Sequence, residues 1–595
     1  MTDTALGKMP QWQLETFYPS PDSKDFKDDV LEAEKRAHAF QEKYQNNLQQ
    51  LCQQAEQNQT FFQALKDYED LQDRIGRIGS YSFLLYVRDT FHAEHTKFFG
   101  DMQEKLTNLG SKLLFFPLEI NKIQDAILEK ALQTGALQPY RYWFEDLRKG
   151  KPYQLDDKLE ELFHEKHITG RAAWSRLFNN TMSALSFDVD GKTLNLEATL
   201  NHLSHKDNKT RKTAADALVQ TFGQNIRLFT TITNTLAKDK EISDRWRGYQ
   251  DIADSRHLAN SVEREVVEAL EKAVTDSYAK LSHRYYALKA KWLGMEKLAY
   301  WDRNAPLPES SDEIIDWTTA QETVLSAYNA FSPEIGGIVK QFFDNNWIDA
   351  PVSEGKSPGA FAHPTVPSAH PFIMLNYLGK PRDVMTLAHE LGHGVHQYLA
   401  NAQGPLLAPT PLTLAETASV FGEMLTFKTL LSQADTPEKR KAMLASKVED
   451  MINTVIRQIA FYTFERKLHT ARREGELTSE QIGTIWMSVQ SDSLGPSVDL
   501  KEGYEMFWCY VPHFINSPFY VYAYAFGECL VNSLYAVYEN SEDGFAQKYL
   551  DLLSAGGSKH HKDLLSPFGL NASDPGFWSM GLSVIERFID ELEEL

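Results

Sequence analysis

The sequence has few cysteines and no apparent targeting segment, and both absences narrow the class of protein. Its 595 residues include only Cys52, Cys509 and Cys529, an odd number that does not suit the disulfide framework of a secreted protein. The N-terminal stretch lacks a basic segment followed by an apolar one, so no signal peptide is expected. We therefore predict a cytoplasmic protein in a reducing compartment.

Acidic residues outnumber basic residues, and the sequence has no long apolar run that is free of charged residues. The chain has 82 acidic and 61 basic residues, which gives a formal net charge of -21. Nucleic-acid and anionic-membrane surfaces need clustered lysine and arginine, so neither partner is expected. The most apolar long window, 519 to 538, contains Glu528 and Asn532, which favours a buried helix over a membrane span.

The composition is that of a folded protein, with 42% hydrophobic and 12% aromatic residues. Apolar residues recur at three- and four-residue spacing over about 26–137 and again over about 197–298, and no internal repeat is found, so a mainly α fold is predicted. Residues 186–196 (SFDVDGKTLNL) alternate around Asp190-Gly191, which predicts a tight hairpin. We place a boundary there, with an N-terminal helical lobe at 1–196 and a second domain at 197–595.

The strongest chemical signal is His389-Glu390-Leu391-Gly392-His393. Four-residue spacing on a helix puts both imidazoles on one face, where they can share one zinc ion. Glu390 follows the first ligand directly and can take a proton from a metal-bound water. His396 lies near the same face, and we interpret it as a packing or hydrogen-bonded histidine.

A catalytic zinc needs a third protein ligand, and the extended motif with a third histidine does not match here. The candidate is Glu416, which shares a face with Glu423 on the following helical segment, 413–423. Thr413 and Glu416 also have capping-box spacing, so Glu416 could instead cap a helix. Glu423 is interpreted as an acceptor that orients one ligand imidazole.

These residues resemble the thimet-oligopeptidase and oligoendopeptidase F family of zinc peptidases. The resemblance rests on the HELGH helix followed by ETASxxxE, whose first glutamate, here Glu416, is the third ligand in that family. It extends to 356–361, to FIMLNY at 372–377 and to the N-terminal WQLETFY, and so covers nearly the whole chain. The resemblance implies a large, mainly α, two-lobed zincin-type peptidase with a deep channel and a small β element next to the zinc helix.

The segment 513–524 looks like the family's histidine and tyrosine segment that closes over substrate. Donors aimed at the developing oxyanion contribute on the order of 3 kcal/mol each in a dry site. His513 with Tyr520 or Tyr524 would serve, since the two tyrosines share a face if the segment is helical. Tyr522 would point elsewhere. Core packing is the competing interpretation for these aromatic residues.

Together these features predict a zinc-dependent oligoendopeptidase with one Zn²⁺ per chain, bound by His389, His393 and Glu416 within a catalytic domain at 197–595. Short unfolded peptides are the expected partners, and FIMLNY is expected to offer a strand edge to their backbone. A carboxypeptidase or dipeptidyl carboxypeptidase on the same scaffold is one alternative. A non-catalytic zinc-containing peptide-binding protein is another, although a purely structural metal would have no use for Glu390.

Overall fold

The chain folds into two compact units, each assembled from three separate segments. The structure is a computed structural model and describes residues 6–55, 59–307, 314–540 and 544–595. Unit 1 comprises Met1–Lys151, Asp312–Ser432 and Asn540–Leu570, and unit 2 comprises Pro152–Ser311, Gln433–Glu539 and Asn571–Leu595. The sequence boundary at 196/197 falls inside the first segment of unit 2, and a domain division there stays a prediction. Among the described residues, no helix has the length and apolar character needed to cross a membrane.

The N-terminal segment of unit 1 is helical, as its spacing of apolar residues predicts. Ser23 begins the first helix by accepting a hydrogen bond from the Phe26 N–H, which satisfies one of the unpaired amides at a helix start. Aromatic side chains fill the core between these helices; the Tyr68 and Phe116 rings, for example, stack with centroids 4.5 Å apart. The helices are α1 (Lys24–Tyr44), α2 (Leu48–Gln53), α3 (Thr60–Arg88), α4 (Ala93–Leu113), α5 (Phe115–Lys122), α6 (Asp125–Leu132) and α7 (Arg141–Lys149).

The first segment of unit 2 contains the predicted hairpin. Its strands pair antiparallel, with Phe187 opposite Leu194, and the turn residues Asp190 and Gly191 both have positive φ. The hairpin prediction is therefore confirmed. The elements are α8 (Asp157–Thr169), α9 (Arg171–Ala184), β1 (Phe187–Val189), β2 (Lys192–Leu194), α10 (Leu196–Asn201), α11 (Asn208–Arg247), α12 (Asp254–Ala259), α13 (Arg264–Asp276), α14 (Ser282–Trp292) and β3 (Leu298–Ala299).

The middle segment of unit 1 carries the metal-binding motif and a small sheet. Its elements are α15 (Trp317–Phe331), α16 (Pro333–Asp344), β4 (Ile348–Asp349), β5 (Phe361–His363), β6 (Phe372–Met374), α17 (Pro381–Ala400), α18 (Leu412–Ala415) and α19 (Thr417–Ser432). The remaining elements are α20 (Pro437–Thr454), α21 (Ile456–Glu474), α22 (Ser479–Leu494), β7 (Val498–Asp499), which pairs with β3, α23 (His513–Asn516), α24 (Tyr522–Glu539), α25 (Phe545–Ser554), α26 (His561–Leu565) and α27 (Pro575–Glu594). The predicted mainly α fold is confirmed.

The three-stranded sheet of unit 1 corrects one prediction. Its strand order is β4-β6-β5, with β4 parallel and β5 antiparallel to β6. The FIMLNY strand is therefore the central strand, with Ile373 opposite both Ile348 and Ala362, and the expectation that it offers an open edge is wrong. The pattern of apolar and polar residues could not reveal this, because a strand that is buried on both faces has the same pattern at the edge of a sheet as at its centre. Within the described part of the chain, β5 lies beside α17 and pairs on one side only, with β6.

Candidate metal centre and active site

Helix α17 brings the two histidines of the motif to one face, and its start is well defined. Pro381 occupies the first turn, where its missing N–H costs nothing, and the Asp383 carboxylate accepts hydrogen bonds from the Leu378 and Lys380 amides. The side chains of His389 and His393 then lie one turn apart, with ring centroids separated by 4.9 Å. Glu390 is buried on the same helix, with a relative exposure of 7%.

The third candidate ligand reaches the imidazoles from the next helix pair. Glu416 lies between the end of α18 and the start of α19, and its Oε2 is 3.5 Å from His389 Nε2 and 3.4 Å from His393 Nε2. Pro411 precedes α18 and Thr413 lies inside it, so the capping-box interpretation of Glu416 is wrong. The carboxylate faces the two histidines instead.

The three ligand atoms are spaced as a tetrahedral zinc site requires. Metal–ligand bonds of ~2.1 Å at tetrahedral angles separate neighbouring ligand atoms by ~3.4 Å. The distances from Glu416 Oε2 to the two imidazole nitrogens agree with that value. Ligand atoms from His389, His393 and Glu416 all lie within 4.8 Å of one another. The residues thus fit a divalent cation such as zinc.

Two further side chains hold the candidate ligands in orientation. His389 Nδ1 is 3.2 Å from Glu423 Oε2, so the imidazole can present Nε2 to a metal while its other nitrogen hydrogen-bonds to a carboxylate. Ser419 Oγ donates to Glu416 Oε2 at 2.6 Å, which limits rotation of that carboxylate. The sequence indicated the role of Glu423. It also contained the signal for Ser419, since a hydroxyl one turn after Glu416 falls on the same face.

Burial and neighbouring charges shift the pKa values of the residues at this site. Burial disfavours the charged form of His389, but the hydrogen bond to Glu423 and the charges of Glu416 and Glu390 outweigh it and raise its pKa to about 9. Burial raises the pKa of Glu390 to about 7, against the opposing charge of His389. Burial lowers the pKa of His393 to about 4. A negative field therefore surrounds His389 and would favour a cation.

Close helix packing sets the site geometry, and sequence reasoning missed it. A Cβ on Gly392 of α17 would lie 2.2 Å from the Ala418 carbonyl oxygen of α19, so only glycine permits this approach. Gly422 makes room for the Tyr328 hydroxyl of α15, which donates to the Ala388 carbonyl at 2.8 Å. A glycine inside an apolar helix was the available signal for both positions.

His396 behaves as the sequence predicts for a packing histidine. It is buried, with an exposure of 3%, and its Nε2 is 3.3 Å from Thr410 Oγ1. Burial lowers its pKa to about 4, which keeps the ring neutral. It contributes to the wall beside His393 and is not one of the three clustered ligands.

In unit 2, the histidine and tyrosine segment brings three polar aromatic residues together. His513 Nε2 lies 3.1 Å from the Tyr524 hydroxyl. The Tyr520 ring is parallel to His513 at 6.3 Å and edge-on to Tyr524 at 5.3 Å. The segment is not one helix, since α23 ends at Asn516 and α24 begins at Tyr522, yet Tyr520 and Tyr524 still meet.

Tyr522 points away from that cluster, as predicted from its position. Its hydroxyl is buried, accepts a hydrogen bond from Asn260 Nδ2 at 2.9 Å, and lies 3.1 Å from His257 Nδ1. Packing and hydrogen bonding in the core of unit 2 account for this side chain.

Burial lowers the pKa of His513, so that the imidazole is neutral near pH 7.

Known proteins are similar to this chain in sequence and in fold. The sequence pattern of Peptidase family M3 matches residues 201–583, and that of Oligopeptidase F matches residues 119–187. Oligopeptidase PepF of Bacillus subtilis (strain 168) is 27% identical, covering 98% of this chain and 87% of its own length. The chromosomal oligoendopeptidase F of Lactococcus lactis subsp. cremoris is 26% identical, covering 90% of each chain. The crystal structure of oligoendopeptidase-F from Enterococcus faecium matches with a TM-score of 0.71 and 21% identity over 96% of this chain and 98% of that one, which shows a common fold.

Proposed function

The chain belongs to peptidase family M3, and we propose that this metallopeptidase is a zinc-dependent oligoendopeptidase that hydrolyses internal bonds of short, unfolded peptides. The observation that supports the proposal most directly is the triangle formed by His389, His393 and Glu416, with the buried Glu390 beside it. Two imidazoles and one carboxylate leave a fourth position of a tetrahedral ion for water or substrate.

In this proposal, each side chain of the metal centre has a separate task. His389, His393 and Glu416 bind the ion, while Glu423 and Ser419 orient two of these ligands. A bound zinc ion would supply Lewis-acid chemistry, polarising the substrate carbonyl and favouring deprotonation of the attacking water. Glu390 holds the proton removed from that water and returns it to the leaving amine. Burial raises the pKa of Glu390 in the metal-free site, which favours a carboxyl group that can hold a proton.

The histidine and tyrosine segment of unit 2 would supply hydrogen bonds to the substrate oxygen. Peptide hydrolysis develops negative charge on that oxygen, and preorganised donors stabilise it. We assign this role to His513 with Tyr524, because their side chains are already hydrogen-bonding distance apart, and to Tyr520 as the neighbouring hydroxyl.

Strand β5 is the edge to which we assign the extended substrate. It pairs only with β6 within the described residues, and it lies against α17; the Ala362 carbonyl accepts a hydrogen bond from Gln397, which an added peptide strand would replace. The Ala362 backbone also stabilises the carboxylate of Glu390. A peptide added as a further strand would be held by its backbone, which tolerates varied side chains.

The test compares wild type with Glu390→Gln on an internally quenched peptide, with zinc content measured on the same samples. We expect the variant to keep its zinc and to lose about 10²- to 10⁴-fold in kcat, because only proton transfer is removed. The exposed Glu322→Gln on α15 is the matched control. A fully active Glu390→Gln enzyme would exclude Glu390 from the reaction. Peptides with amidated C-termini separate the activities, since an endopeptidase cleaves them and a carboxypeptidase does not.

A second test concerns the donor assigned to the substrate oxygen. Tyr524→Phe removes one hydroxyl and keeps the ring that packs against Tyr520. We expect kcat to fall about 10²- to 10³-fold with KM nearly unchanged, since the hydrogen bond would form mainly in the transition state. Tyr522→Phe is the control, because its hydroxyl is occupied by Asn260. Equal losses of kcat in both variants would remove Tyr524 from this role.

A further inference from the structure

Unit 2 contains a cavity whose charge is opposite to that of the chain. Its volume is about 690 Å³, and it is bounded by α8, the start of α9, α11, α12 and the loop that follows α23. Among the residues that the structure describes, five basic and three acidic side chains line it, although the whole chain has a formal net charge of -21. The basic residues are Lys166, Arg171, Lys240, Arg247 and Arg256.

Two of these cations are neutralised within the cavity wall. Arg247 forms a two-point ion pair with Glu160, with nitrogen–oxygen distances of 2.7 and 2.8 Å. Lys240 donates to Asp244 at 2.6 Å. These two pairs use two of the three acids among the described lining residues.

The cations left over are Lys166, Arg171 and Arg256, and the acid left over is Asp239. Among the side chains that the structure describes, none of these four forms an ion pair. Burial is the main cause that lowers the pKa of Arg171; Asp239 opposes the shift, and the charge of Arg256 adds to it. Two guanidinium groups that repel each other in one partly enclosed cavity gain energy from an anion placed between them.

Both arginines are held in place by backbone carbonyl groups. Arg171 Nη2 donates to the carbonyls of Ile515 and Asn516 at 3.0 and 3.3 Å, and Arg256 Nε donates to Pro518 at 3.2 Å. A guanidinium has five N–H donors, so each arginine retains donors beyond these bonds. Fixed guanidinium groups with remaining donors are well suited to oxyanions, which accept two parallel hydrogen bonds.

We propose that this cavity binds an oxyanion, either a peptide C-terminal carboxylate or a phosphate, through Arg171 and Arg256 with Lys166 at its rim. The volume accommodates a group larger than a monatomic ion. The occupied site would also contact the loop at 515–518, which connects His513 to Tyr520. Arg256 lies over the Tyr520 ring at 5.7 Å, so occupancy is expected to alter turnover; this consequence rests on the proposed function.

Calorimetric titration of the full-length, zinc-loaded enzyme with inorganic phosphate at low salt tests the site directly. We expect saturable one-to-one binding that weakens at least tenfold in Arg171→Gln/Arg256→Gln and weakens with added NaCl. Arg245→Gln is the matched control, because Arg245 lies on α11 outside the cavity and pairs with Glu241. Asp239→Asn should tighten binding, a gain that misfolding cannot produce.

A pair of peptides identical except for a free or amidated C-terminus distinguishes the two sources of the anion. Their binding is measured in the Glu390→Gln background, which prevents cleavage. Tighter binding of the free acid that disappears in the double arginine variant identifies a peptide carboxylate as the ligand. Saturable phosphate binding with no difference between the peptides identifies a phosphate.

The proposal is overturned if phosphate and both peptides bind wild type and the double arginine variant equally, which is what binding to the metal centre alone would give. Weakening of the same size in Arg245→Gln would also overturn it, because it would indicate a general field effect. These binding results are independent of hydrolysis, so they fail or succeed separately from the proposed peptidase activity.

Discussion

Replacing Glu416 by alanine is the most direct test of the metal centre. The change removes the only carboxylate among the three clustered ligand atoms and leaves two imidazoles from one helix. It also removes the acceptor of the 2.6 Å hydrogen bond from Ser419, whose hydroxyl still contacts the Glu416 backbone carbonyl at 3.1 Å. The hydrogen bond from Ser419 to this carbonyl should therefore preserve the local helix geometry, and the substitution should mainly weaken metal binding.

The expected magnitude follows from the number of ligands. Four-ligand zinc sites bind with about 10–16 kcal/mol, so one ligand contributes on the order of 3 kcal/mol. At 1.4 kcal/mol per factor of ten, the zinc dissociation constant should rise about 100-fold. Glu423→Gln should cost less, about 10-fold, because Glu423 acts only through the orientation of His389.

The assay is competition for zinc with a chromophoric chelator at fixed pH, with Glu322→Ala on α15 as an exposed acidic control. Thermal unfolding of the metal-free proteins is measured in parallel to separate metal binding from helix stability. A Glu416→Ala protein with wild-type zinc affinity would refute the three-ligand site. A lower melting temperature of the metal-free variant with unchanged affinity would indicate that the carboxylate serves the helix junction and not the metal.

Two further predictions concern stability. Gly392→Ala should lower the free energy of unfolding by about 1–3 kcal/mol and weaken zinc binding, because its Cβ would lie 2.2 Å from the Ala418 carbonyl oxygen. Gly337→Ala, which meets nothing within 4 Å, should be neutral or stabilising by ~0.5–1 kcal/mol, and equal urea denaturation curves for both variants would disprove the packing argument. Glu465 is buried, and burial raises its pKa from 4.5 to about 8, so the folded state keeps a proton that the unfolded state releases. Wild type should therefore lose stability relative to Glu465→Gln as pH rises from 5 to 8, by on the order of 3 kcal/mol, whereas the exposed Glu474→Gln should show no such trend; parallel pH profiles for wild type and Glu465→Gln would contradict the shift.

Local sequence patterns predicted which residues the structure brings together at the candidate metal centre. The spacing of His389 and His393 and the position of Glu416 on the following helical segment were read from residues less than 30 positions apart. The hairpin at 187–194 was equally accessible, because its turn residues need positive φ. These features depend on helix and turn geometry, which neighbouring residues determine.

Contacts between distant segments were not accessible in the same way. FIMLNY was recognised as a strand but assigned to an edge, because alternation does not say which strands pair on either side. Tyr328 reaches the Ala388 carbonyl from a helix 60 residues earlier, and no motif marks it. The basic cavity joins residue 171 to residues near 516, more than 300 positions away.

By itself, the sequence determined the mainly α fold, the identity of the candidate ligands and the family to which the chain belongs, since each depends on residue type and short-range spacing. Only the tertiary structure decided that the Glu416 carboxylate faces the imidazoles and does not form a capping box with Thr413, that FIMLNY is the central strand of its sheet, and that Arg171 and Arg256 line one cavity. Those outcomes depend on contacts between separate elements, which short-range spacing does not determine. Gly392 is an example, because its lack of a side chain allows α17 to approach the Ala418 carbonyl of α19.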